Sequence, residues 1–254
     1  MKHMLVAAAI ATLAATPVAA QSDFRWTGQV DRADWLKVQN INGDVDLVLT
    51  DGSQIEVAAD IRVREGNADD VRVEVVEHAG GVTVCAIYPS RRRGQTQECA
   101  GRTFDRAQAR DTDVSVHFTV RAPRSTWFEG VTVNGDVDVA GPLERVEATT
   151  VNGDVILAAS GEARATTVNG SIRARIAGND LSGPVELETV NGSIELDLND
   201  GINADVEARW LSGGLNSEFP LEVRGSISRS ASGQLGAGGP TISLNTVNGR
   251  IDIS

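Results

Sequence analysis

Lysine is nearly missing from this chain: Lys2 and Lys37 are the only two in 254 residues. Basic residues total 23 against 35 acidic ones, a formal net charge of −12. A general nucleic-acid binder needs a basic footprint to displace counterions from phosphates, so that class is excluded. Only two cysteines are present, too few for a disulfide-dense scaffold or a cysteine-based structural zinc site. Aromatic side chains are scarce as well, with four Trp, one Tyr and five Phe. Yet the composition is 41% hydrophobic and 23% charged, which is that of a globular protein and not of a disordered one. The length allows a large core, in one all-β domain or two small ones.

No apolar run reaches bilayer length. The longest, Met4 to Ala15, spans about 12 residues where roughly 20 are needed to cross. It follows Met1-Lys2-His3 and leads to Val18-Ala19-Ala20, so residues 1–20 read as a secretory signal peptide cleaved after Ala20. No cysteine lies near that site to carry a lipid anchor. Loss of Lys2 would leave 22 basic against 35 acidic residues, a charge of −13. The expected location is outside the cytoplasm: periplasmic, cell-surface or secreted. In an oxidising compartment Cys85, at the end of an alternating strand, and Cys99 are expected to form one disulfide. Closing a 15-residue loop stabilises a fold by about 3 kcal/mol on the chain-entropy view. A catalytic thiol is the alternative, but no histidine stands nearby in sequence to activate it.

Internal repetition dominates the second half. From Val131 the sequence reads VTVNGDVDV, TTVNGDVIL, TTVNGSIRA, ETVNGSIEL and finally NTVNGRIDI. The pairs are Asn134-Gly135, Asn152-Gly153, Asn169-Gly170, Asn191-Gly192 and Asn248-Gly249, the first four spaced by 18, 17 and 22 residues. Leu211-Ser212-Gly213-Gly214-Leu215 is a degenerate copy, and Asn42-Gly43 marks an outlying early one. Each unit alternates apolar and polar residues, which makes it a strand with one buried face. Asn-Gly supplies a tight reversal because both residues tolerate positive φ.

Two architectures satisfy that pattern. One is a meander of β-hairpins. The other is a β-solenoid, in which each unit is one coil and equivalent positions stack about 4.8 Å apart. The near-constant unit length and the identical corners favour the solenoid, and a narrow coil explains the lack of aromatics. The expectation is therefore an all-β, β-helix-like solenoid of about six 17–22-residue coils. Its asparagines would form a hydrogen-bonded column and its glycines would stack at a corner where a Cβ would clash. Asp44, Asp136 and Asp154 follow the glycine and could form a carboxylate row for calcium. Ser171, Ser193 and Arg250 take that place elsewhere, however, and the nine-residue period of calcium-binding β-rolls is absent, so no metal is expected.

Residues 54 to 122 break the period. Gln54–Arg64, Val71–His78, Gly81–Tyr88 and Asp113–Ala122 read as longer strands of an antiparallel sheet that caps the solenoid. The expected organisation is 1–20 signal peptide, 21–125 N-terminal β region with the first repeat and the disulfide loop, and 126–254 solenoid. Between two of the long strands, Pro89 to Asp111 forms a polar loop that concentrates Arg91, Arg92, Arg93, Arg102, Arg106 and Arg110. That loop is the candidate contact for an anionic partner, a phosphate-bearing polymer or a lipid head group.

These repeats, the cysteine loop and the ending Gly-Gly-Pro-Thr-Ile-Ser-Leu-Asn-Thr-Val-Asn-Gly-Arg-Ile resemble the exported bacterial "putative adhesin" family DUF4097, a domain of unknown function. The resemblance is strongest from Val131 to Ser254. It implies a β-helix-like fold at or near the cell envelope, and it brings no catalytic residues to carry over. The residues themselves supply little chemistry. His78 and His117 belong to no metal-ligand or nucleophile motif, and no cofactor is implied. The reading is a non-enzymatic, adhesin-like interaction protein. Its partner would be an envelope protein or polymer, met by outward residues such as Arg173, Arg175, Glu195 and Asp197. The alternative is a β-helix polysaccharide lyase or hydrolase, which would need a cleft with convergent acidic and basic groups.

Overall fold

The computed structural model describes residues 24–65, 67, 69, 71–89, 99, 113–225 and 229–254. Seventeen strands make up the described elements, and no helix is among them. The first seven are β1 (Phe24–Gly28), β2 (Trp35–Gln39), β3 (Val45–Leu49), β4 (Ile55–Glu65), β5 (Arg72–His78), β6 (Gly81–Ile87) and β7 (Asp113–Ala122). Next come β8 (Trp127–Val131), β9 (Val137–Thr149), β10 (Val155–Asn169), β11 (Ile172–Ile176), β12 (Val185–Asn191) and β13 (Ile194–Leu198). The last four are β14 (Ala204–Ser217), β15 (Glu222–Arg224), β16 (Arg229–Leu235) and β17 (Thr241–Ile253).

A hairpin at each Asn-Gly would pair the two strands that flank it. Instead, the flanking strands enter different ladders. After the Asn-Gly corners, β3, the start of β9, the start of β10, β11, β13 and the end of β17 pair in parallel, side by side. Before the corners, β2, β8, the end of β9, the end of β10, β12 and the start of β17 do the same. Each repeat is thus a two-sided rung, and the rungs stack. Register holds throughout: Val45, Val137, Val155, Ile172, Ile194 and Ile251 form one fully buried column. Every second side chain points into a slot between the ladders, filled mainly by Val, Ile, Leu and Ala, with Phe118 and Phe128 its largest fully buried side chains. One apolar core cluster runs from Leu36 to Ile253.

The order of rungs is not the order of the chain. The β2–β3 rung lies between β6–β7 and β8–β9. Strand β17 lies between β12–β13 on one side and β14 on the other. The early copy at Asn42 is therefore next to Asn134, and the degenerate copy at Ser212-Gly213 lies beyond the final one at Asn248-Gly249.

Residues 54 to 122 depart in part from a purely antiparallel sheet. β1–β4, β4–β7 and β5–β6 are antiparallel. But β6 and β7 also pair in parallel with β2 and β3, extending both ladders as another rung. Their alternation is in phase with the repeats, so their backbone edges dock on the stack as a repeat would. Beyond β14 the chain turns antiparallel again, through β16 and β15. Cys85 in β6 is bridged to Cys99. Ile87 and Val76 pack around the bridge, a small apolar cluster apart from the main core.

Candidate interaction surface

The corner is built from three columns, each satisfying backbone or amide groups that a bare stack would leave open. The asparagines donate in sequence down the stack. Asn134 Nδ2 donates to Asn42 Oδ1 (2.8 Å), Asn152 to Asn134 (2.9 Å), Asn169 to Asn152 (2.9 Å), Asn191 to Asn169 (3.0 Å) and Asn248 to Asn191 (2.9 Å). The residue two before each asparagine points inward. Thr132, Thr150, Thr167, Thr189 and Thr246 each donate a hydroxyl to the glycine carbonyl of the rung below, at 2.8–3.0 Å. The residue after each glycine accepts a backbone N–H from the rung above, through Asp44, Asp136 and Asp154 carboxylates and then Ser171 and Ser193 hydroxyls. Glycine is required by close approach: a Cβ at Gly170 would fall 1.9 Å from the Gly153 carbonyl oxygen, and one at Gly249 1.8 Å from that of Gly192.

The aspartates thus serve as hydrogen-bond acceptors in the stack. Among the described residues no group of three or more His, Cys, Asp or Glu is arranged to hold a metal ion. The carboxylates do crowd. Burial raises the Asp46 carboxyl above its ordinary range, and the charges of Asp44 and Asp138 raise it further. Asp138 is raised by burial first and by Asp136 second. His117 partly offsets the crowding, with Nδ1 3.2 Å from Asp44 Oδ2. Further along this ladder Arg173 pairs with Glu195 (2.8 Å) and Arg175 with Asp197 (3.4 Å), so these outward charges face each other across a rung.

On the other ladder, the early rungs carry a polar cluster. Arg145 lies over both Trp35 and Trp127, 5.0 and 5.1 Å from the ring centroids, and bonds Glu162 at 2.9 Å. Lys37 pairs with Glu129 beside them. Burial, and then the Glu129 charge, raise the Glu147 carboxyl above its ordinary range. This cage is filled by its own arginine.

The later rungs of the same ladder are different. Because the threonine of each Thr-Val-Asn-Gly points in, the valine points out. Val151, Val168, Val190 and Val247 are 37–39% exposed, and Leu211, at the equivalent place in β14, is 55% exposed. In register they form a straight apolar column, Val151 in the corner just after β9 and the others in β10, β12, β17 and β14. A groove of about 410 Å³ follows the column from Val168 to Leu211. Thr166, Glu188, Asn245 and Arg209 form its parallel polar border, and Thr167, Thr189, Thr246 and Trp210 complete the lining. Trp210 takes the place of the inward threonine in the outermost rung. It is buried, and its indole N–H has no hydrogen-bond partner among the described residues.

Of the residues singled out in the sequence, the six asparagine-glycine pairs form the corner and Cys85–Cys99 the bridge. Arg91, Arg92, Arg93, Arg102, Arg106 and Arg110 lie outside the described residues, as does the 1–20 segment. The exposed valine column was not singled out. Hydropathy assigns such valines to the core, and only the parity set by the buried threonine reveals them.

A family model described as Toastrack DUF4097 matches residues 106–254, more than half of the chain. The chain belongs to this family. No curated protein matches the chain. Among solved structures, a "putative cell adhesion protein" from Clostridium sporogenes is similar at 12% identity, covering 92% of this chain and 99% of its own, with a TM-score of 0.54. That likeness concerns the fold. A "putative adhesin" from Parabacteroides distasonis aligns over 92% of this chain and 97% of its own, at 12% identity and a TM-score of 0.35. No helix among the described residues is long and apolar enough to cross a membrane.

Proposed function

We propose that this Toastrack protein is an exported, non-enzymatic interaction module of the cell envelope, and that the outer face bearing the valine column is its contact surface. The observation that carries the reading is the column itself: five aligned apolar side chains left in solvent on a rigid, repeated scaffold. A repeat fold has no need of exposed valine at every rung, because alternation buries the others well. The Cys85–Cys99 bridge and the N-terminal segment support export. The names of the two similar structures point to adhesion. In this reading the antiparallel strands at both ends of the stack act as caps on its open edges.

The test is a pull-down from envelope fractions with the wild-type protein and with Val190→Asp/Val247→Asp, both matched for folding by circular dichroism. Loss of capture in the variant is expected, and undiminished capture would remove this face from the function. The arginine-rich stretch from Arg91 to Arg110 is a second proposed contact, drawn from its concentration of charge. For that contact, Arg91→Ala/Arg92→Ala/Arg93→Ala should weaken capture in a salt-dependent way, and capture unchanged at all salt concentrations would remove it. A β-helix polysaccharide lyase or hydrolase is the rival reading. Release of reducing or unsaturated ends from a polysaccharide panel, with or without calcium, would overturn the non-enzymatic one.

A further inference from the structure

Resting on the outer face as the contact surface, we propose that the groove along the valine column binds a single saturated acyl chain, with its carboxylate head at the β14 end. Dimensions select the occupant. The groove's four rungs at ordinary strand spacing make it about 14 Å long, and a two-residue strand repeat makes it about 7 Å wide. That footprint, on the order of 100 Å², is far below the roughly 800 Å² per partner of a stable protein interface. A second copy or a globular partner would leave most of its own surface unmatched. An extended peptide laid along the column would present side chains about 6.8 Å apart, out of step with rungs about 4.8 Å apart. Sugars are held by aromatic faces, and Trp210 is the single aromatic residue lining the groove. An alkyl chain is narrow, linear and indifferent to spacing. It asks only for continuous methyl groups, which Val168, Val190, Val247 and Leu211 supply.

The polarity of the groove orients the chain. Glu188 stands midway along the polar border and accepts from Asn245, so an anionic head is disfavoured there. At the β14 end stands the Arg209 guanidinium, bonded to Glu207 through one nitrogen and the single cationic side chain lining the groove. That guanidinium marks this end as the one that receives a carboxylate. The groove's volume of about 410 Å³ lies in the range of small-molecule sites, which are mostly apolar with a few polar groups fixing orientation.

The experiment uses the whole protein, with palmitate and 9,10-dibromostearate below their aggregation concentrations as probes. Saturable quenching of tryptophan emission by the brominated acid is expected, with palmitate competing for it. Trp210→Phe should abolish the quenching while calorimetry still detects palmitate. Val190→Asp/Val247→Asp, which alters only exposed positions, should weaken palmitate at least tenfold. Arg209→Gln should weaken palmitate several-fold and leave methyl palmitate unchanged. The proposal is overturned by absence of saturable quenching, by quenching that survives Trp210→Phe, or by binding indifferent to the valine substitutions. Binding to phosphatidylglycerol vesicles without binding of monomeric palmitate would overturn it in favour of a membrane surface. Valine-dependent capture of an envelope protein without palmitate binding would overturn it too, yet leave the contact-surface reading standing. Loss of both would remove both.

Discussion

Within the Thr-Val-Asn-Gly corner, the hydroxyl goes inside and the methyl groups go outside. Thr189 enters the core because its hydroxyl has a fixed acceptor in the Gly170 carbonyl, 2.8 Å away. Asn169 is held from both sides, donating to Asn152 and accepting from Asn191. Asn169→Ala should therefore cost about 1–2 kcal/mol of stability, read by urea denaturation. Asn248→Ala, at the end of the column with one such bond, should cost less. Gly170→Ala should cost about 3 kcal/mol or more, since a backbone oxygen cannot move away from the added Cβ. Asp46 and Asp138 act in the opposite direction. Their folded pKa values are raised, so their favourable contribution is complete below the unfolded carboxylate pKa of about 3.9 and is lost as pH rises through the folded values. Asp46→Asn/Asp138→Asn should raise Tm at pH 7 and flatten its decline between pH 4 and 7. A double variant that melts below wild type at pH 7 would refute this account of the crowding.

At the level of strands and rungs, the alternation was legible and so were the corners. Apolar parity located the middle strands within a few residues, because a half-buried strand leaves a period-two trace whatever it pairs with. The partners were not legible. Nothing in the spacing of Asn42 tells that it adjoins Asn134, 92 residues away, or that β17 slips inside β14. Identical repeats make every rung an equally good neighbour on local grounds, and only the whole stack decides. The groove escaped for a related reason: its valines are core-like by type and solvent-facing by parity. Because β17 is hydrogen-bonded along both edges, Leu244→Ala in its buried face should cost about 2–5 kcal/mol, with loss of cooperativity in the thermal transition. A change under 1 kcal/mol would mean that the ladders on either side can close without it.

The whole molecule is a stack whose neighbours are often remote in the chain, and such topologies fold slowly. Refolding from urea is expected on a timescale of milliseconds to seconds or longer, measured by stopped-flow tryptophan fluorescence. The Cys85–Cys99 bridge ties β6 to residue 99 ahead of β7. Cys85→Ser/Cys99→Ser should lower stability by about 3 kcal/mol, mainly through the unfolded chain. Equal stability of the reduced and oxidised protein would count against that role.

The displaced position of β17 also bears on biosynthesis. β17 follows every other described strand in the chain, so its slot, with β12 and β13 on one side and β14 on the other, stays vacant until all of them have been made. Until then the core lacks an interior layer, and no shorter nascent chain can present the finished valine column. A chain cut short by premature termination would display two unsatisfied sheet edges facing each other, a form open to proteases.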